Sequence, residues 1–172
     1  MRVYVRTFCR NSVASATTDA MQVGIAERLD DLLCQLCQND EEDAETILGR
    51  LRIENESESN SFEAFRLHFR QDAAHSIRVE RWEGYSALVR VQEYLGLVDD
   101  SEPDAAIIRD HLSDATEIVT FELTLRDAET AGLAVTIAAA AWLAEIGDGI
   151  VQADDLGWML PAGREVRFLY ES

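Results

Sequence analysis

The sequence predicts a single α+β domain over residues 1–172, built as a mainly antiparallel sheet with helices packed on one face. Three observations lead there. Short segments alternate apolar and polar residues, the period of half-buried strands. Between them lie segments whose apolar residues recur at helical spacing, bounded by capping residues and glycines. Several strands follow one another across short turns, which favours antiparallel pairing.

In residues 2–8, Val3, Val5 and Thr7 share one face and Arg2, Tyr4 and Arg6 the other, a strand. Thr17, Thr18 and Asp19 offer N-caps for one helix carrying Met21, Ile25, Leu29, Leu32, Leu33 and Leu36. A short helix over 43–48 ends at Gly49, and the polar connector 53–60 begins as an edge strand. Residues 62–70 place Phe65, Leu67 and Phe69 against Arg66, His68 and Arg70. Residues 76–82 repeat the alternation, and a turn at 72–74 makes the two a hairpin. Tyr85, Leu88, Val91, Leu95 and Val98 have helical spacing, and Pro103 starts a short helix through His111. Residues 117–126 form a strand with Val119, Phe121, Leu123 and Leu125 inward, and 128–146 an Ala-rich helix. Strands at 150–153, 157–160 and 165–170 complete the chain. Strand–helix–strand–strand thus occurs near both ends, which suggests two loosely similar halves.

The chain holds 33 Asp and Glu against 15 basic residues, all arginine, for a net charge of −18, and 47% of residues are hydrophobic. That hydrophobicity supports a core and excludes global disorder. The charge argues against direct binding of nucleic acid or an anionic membrane, because each phosphate contact needs a local cation. The N-terminus lacks a continuous apolar signal core, and the run 131–144 is too short to span a bilayer. Cys9, Cys34 and Cys37 form no even disulfide set, so the expected compartment is cytoplasmic.

Motifs for chemistry are sparse. Cys34 and Cys37 form a C-x-x-C near a helix C-terminus, among acids, where neither dipole nor neighbours favour a thiolate. The pair reads as small buried hydrophobes. His68, His75 and His111 have no metal spacing, and no metal or cofactor is expected. No nucleophile elbow, metalloprotease motif, phosphate loop or dinucleotide fingerprint occurs. The chain reads as a non-enzyme.

The acids are unevenly placed. Residues 39–60 hold eight (Asp40, Glu41, Glu42, Asp43, Glu45, Glu54, Glu56, Glu58) against two arginines, a balance of −6. Residues 99–114 hold six, Asp99, Asp100, Glu102 and Asp104 among them, against Arg109, a balance of −5. Residues 62–90 instead balance at +1. Self-repulsion on this scale costs stability and exceeds what solubility needs, so a basic partner is expected. Asp154, Asp155 and Trp158 form a further candidate contact, with Trp158 or Tyr94 as aromatic anchor.

The C-terminal third, 117–172, carries a helix rich in small residues, Gly147-Asp148-Gly149, an apolar strand, Asp154-Asp155-x-Gly157 and another strand. It resembles the C-terminal part of small bacterial immunity proteins of polymorphic and contact-dependent toxin systems. The resemblance implies a non-enzymatic protein that binds a cognate toxin domain and blocks its active site. Two other readings stand beside it: a DNA mimic of the antirestriction kind, and a small-molecule binder or enzyme using the Arg66/His68/Arg70 face. A homodimer is compatible with all three.

Overall fold

Strand β1 (Arg2–Cys9) follows the expected alternation, and the chain continues through α1 (Thr18–Ala26), α2 (Leu29–Leu36), α3 (Ala44–Arg50) and β2 (Arg52–Asn55). Then come β3 (Ala64–His68), β4 (Ile77–Glu83), α4 (Gly84–Leu97), α5 (Ala105–Ser113) and β5 (Glu117–Thr124). The last third is α6 (Leu125–Ala128), α7 (Ala131–Ile146), β6 (Gly149–Ala153), β7 (Gly157–Ala162) and β8 (Glu165–Tyr170). This computed structural model describes residues 1–37, 42–57, 61–71, 76–154 and 156–170. The turn expected at 72–74 lies outside them.

Among the described residues the sheet has eight strands in the order β2-β3-β4-β5-β1-β6-β7-β8, and every pair is antiparallel. The expected α+β class with an antiparallel sheet is what the structure shows. The helices, however, occupy both faces. Neighbouring residues separate the two cores, since Cys9, Val119 and Val151 belong to one and Phe8, Ile118 and Ile150 to the other. On the first face lie α1, α2, α3 and α7; on the second lie α4 and α5. Apolar side chains on both sides of β1, β5 and β6 require a helical layer on each.

Helix α7 fills the middle of the first layer, buried along most of its length. Its alanines let it lie close to the sheet, where Thr7 Oγ1 donates to Ala140 O at 3.2 Å. The helix expected from Thr18 to Leu36 is two helices. The chain turns at Arg28, whose side chain is buried, donates to Gly24 O at 3.0 Å and pairs with Glu145 of α7. The turn keeps Met21 and Ile25 as well as Leu29 and Leu32 in one core.

Two further expectations are corrected. The halves share an element order but not a sheet order: the first meander joins the centre through its last strand, β4, and the second through its first, β6. Strand β5 ends at Thr124, which caps α6, and Leu125 is exposed rather than inward. Helix α4 has the expected helical spacing. Val91 and the C-cap Val98 are buried with Ala87, Leu95 packs partly buried against the same core, and Tyr85 and Leu88 stay outside. Spacing alone did not say which side of the helix faces the sheet.

Candidate functional site

The acidic candidates fall on separate parts of the fold. Glu42, Asp43 and Glu45 lie around α3 on the first face, and Glu54 and Glu56 on or just after the edge strand β2. Asp99, Asp100, Glu102 and Asp104 form the α4–α5 connection on the second face. Asp40, Glu41, Glu58, Asp155 and His75 lie outside the described residues.

Most of the described acids already have partners inside the chain. Asp43 caps α3 by accepting from Thr46 N at 2.7 Å, which holds its carboxyl below the usual range. Glu42 pairs with Arg50 at 2.8 Å and Glu56 with Arg66. Asp99 accepts from Ser101 N and Oγ at 2.9 and 2.8 Å, which lowers its pKa likewise, and Asp100 meets Arg109 at 2.6 Å. Asp154 accepts from Tyr4 N at 3.0 Å and pairs with Arg6 at 2.8 Å, joining the β6–β7 turn to β1.

Trp158 is not a surface anchor. It is 6% exposed, with its ring 5.6 Å from Phe8 and 6.1 Å from Tyr94. The second-face core places it under α4, away from the Ala-rich helix. Tyr94, half-buried against the same rings, has its hydroxyl pKa raised by burial.

The outer side of α4 is the apolar surface that sequence reading missed. Tyr85 is 82%, Leu88 50% and Val89 40% exposed, and Leu97 is 75% exposed at the helix end. Residues 85, 88 and 89 share one helical face. Asp99 and Asp100 follow directly.

On the second face, α4 and α5 cover only the end of the sheet that bears Phe8, Ile118, Ile150 and Trp158. The register carries the remainder. Arg2, Tyr4 and Arg6 of β1 face Thr124, Glu122 and Thr120 of β5. Glu122 and Thr120 face Arg78 and Glu80 of β4, and Arg78 faces Arg66 of β3. This polar row holds two cavities. One, of about 410 Å³, is lined chiefly by Arg2, Arg66, Ser76, Arg78 and Glu122; the other, of about 320 Å³, by Tyr4, Arg6, Arg78, Glu80, Trp82 and Arg90. Arg66 and His68 share this side, with His68 Nε2 3.4 Å from Glu54. Arg70 does not join them. It lies beyond the end of β3, bonds Thr130 at 2.7 Å and meets the buried Asp127 at 3.4 Å, so the expected Arg66/His68/Arg70 triad is broken.

The cysteine pair divides as well. Cys9 is buried and Cys34 exposed, while Cys37 caps α2. Of the C-x-x-C pair, Cys37 packs partly buried against the first core, and Cys34 departs from the expected burial. Among the described residues no group of three His, Cys, Asp or Glu could hold a metal ion, and no helix is long and apolar enough to cross a membrane. Comparison of the chain with protein-family models, with curated proteins and with solved structures returned no match.

Proposed function

We propose that this chain is a non-enzymatic, cytoplasmic immunity-type protein that binds a basic bacterial toxin domain and neutralises it. The observation that supports this reading is the outer side of α4, where Tyr85, Leu88 and Val89 stand exposed in the first turns and Leu97 stands exposed at the far end, directly before the acidic α4–α5 connection. An apolar patch rimmed by charge is the usual composition of a protein-docking surface. The net charge of −18 steers a cationic partner toward it and speeds encounter, while the aromatic and aliphatic residues slow release. Asp100, Glu102 and Asp104 supply the charged rim; Asp43, Glu45 and Glu54, on another part of the fold, contribute to the long-range field.

The test is co-expression with the product of the adjacent gene in a host which that product arrests. Growth is restored by the wild-type chain and not by Leu88→Glu, an exposed change that leaves the melting temperature within a few degrees of wild type. Absence of rescue, together with absence of a complex on size-exclusion chromatography, would overturn the proposal. A DNA mimic predicts instead that duplex DNA competes with the chain for several unrelated enzymes.

A further inference from the structure

Acids outnumber arginines 33 to 15 in this chain, yet the two cavities on the open sheet face are lined by five arginines and two glutamates. Four of these arginines have carboxylate partners, Arg2 with Glu122, Arg6 with Asp154, Arg66 with Glu56 and Arg78 with Glu80, so the face is close to neutral and repels an anion far less than the rest of the surface does. We propose that it binds a nucleotide-like small molecule, a flat ring carrying a phosphate or diphosphate. The phosphate sits among Arg2, Arg66 and Arg78, and the ring lies against Trp82 and Arg90.

The two cavities differ in chemistry. In the larger, the guanidiniums of Arg2, Arg66 and Arg78 share the lining with the hydroxyl of Ser76, while Thr124 Oγ1 is already bonded to Asp127. Guanidinium forks match phosphate oxygens two at a time, and a serine hydroxyl supplies a further donor. In the smaller, the Arg90 guanidinium lies 5.2 Å from the Trp82 ring and Arg6 lies 5.1 Å from the Tyr4 ring. Aromatic faces and guanidinium planes are the surfaces on which nucleobases stack. Glu80 and Thr120 add acceptors there for amino or hydroxyl groups. Both cavities include Arg78 and Glu122, so one ligand reaches from the first into the second. Their volumes, about 410 and 320 Å³, are those of small-molecule sites.

The arginines are not idle. Arg2 pairs with Glu122, Arg78 with Glu80 at 2.5 Å, and Arg66 with Glu56. These pairs are partly exposed, so each contributes modestly and a phosphate dianion competes with the glutamates for the guanidiniums. Among the described residues Arg90 makes no ion pair, and its charge is met only by the Trp82 ring.

Calorimetric titration of the full chain with ADP, inorganic pyrophosphate and adenosine tests the assignment, independently of any toxin. ADP is expected to bind more tightly than pyrophosphate, and adenosine most weakly. Arg78→Ala weakens ADP about tenfold or more, the loss of one charge-assisted hydrogen bond. Arg90→Ala weakens ADP and leaves pyrophosphate unchanged. Arg164→Ala, an exposed change in the β7–β8 turn, alters neither, and all three variants keep the wild-type circular dichroism spectrum. Absence of binding by ADP and pyrophosphate at millimolar concentration overturns the proposal. So does equal binding of the two with no effect of Arg90→Ala, which marks a bare oxyanion site. An Arg164→Ala loss as large as that of Arg78→Ala overturns it too, as bulk electrostatics.

Discussion

Arg81 and Glu117 form a buried ion pair between β4 and β5, 2.9 Å apart with side chains 5% and 7% exposed. Glu117 also accepts from Ser12 Oγ at 2.6 Å and Val13 N at 2.9 Å, while Arg81 Nε donates to Phe62 O at 2.5 Å. Two connectors are thereby fastened to the sheet. Glu117→Leu leaves the Val13 amide and much of the guanidinium buried without a partner. A loss of about 3 kcal/mol is expected, at the low end for broken buried pairs because exposed Glu83 still meets Arg81 at 2.7 Å. Urea unfolding measures it. The double variant Arg81→Met, Glu117→Leu is expected to lose less than the single one, and a larger loss would contradict this account.

Gly24 allows α1 to lie against Trp142 of α7. A Cβ at that position meets the indole Cγ at 2.3 Å, closer than any real contact. Alanine normally gains about 1 kcal/mol over glycine inside a helix. Here overpacking wins, and Gly24→Ala is expected to destabilise by about 1–3 kcal/mol. A thermal melt that rises on this substitution would show that the indole has another place to go.

His111 lines a cavity with Asp148 and with Ala144 and Glu145 of α7. Burial first, then the nearby Arg10 charge, holds its pKa below the ordinary 6.5, against the pull of Asp148 and Asp110. Between the folded value and 6.5 the unfolded chain binds the proton and the folded chain does not. Stability therefore rises with pH across that window and is lost on acidification. His111→Gln should flatten the difference in unfolding midpoint between pH ~5.5 and ~7.5, the range in which an imidazole titrates. An unchanged difference would show that other groups set it.

Thiol labelling should separate the cysteines. Burial, reinforced by the Glu117 charge, pushes the Cys9 thiol up to about 12, whereas Cys34 lies exposed on α2. A water-soluble disulfide reagent is expected to modify Cys34 in the native protein and to reach Cys9 only after unfolding. Cys34→Ser should abolish most of the fast phase. Fast modification of Cys9 under native conditions would mean that β1 opens readily.

Much of the sheet was legible in the sequence because its strands obey a period of two. Residues 2–8 and 117–124 could present only one apolar face to the α7 layer. Helix α4 was legible as a helix but not in its orientation. Its buried stripe uses Ala87, a residue too small to stand out beside Tyr85 and Leu88, and that substitution of roles is what leaves the outer ridge apolar. Trp158 was misread for a related reason: a tryptophan after a turn looks exposed until a second helical layer is placed over it.

The sequence by itself determined the α+β class, most strand and helix positions, and the strongly negative charge, since these follow from local period, caps and counts. Only the tertiary structure decided that helices cover both faces, which half of the second face stays open, and that Arg2, Arg66 and Arg78 line one cavity. The reason is that β1, β3, β4 and β5 become neighbours through pairings between distant segments. Period alone fixes which side of a strand a residue faces, but not which strand lies beside it.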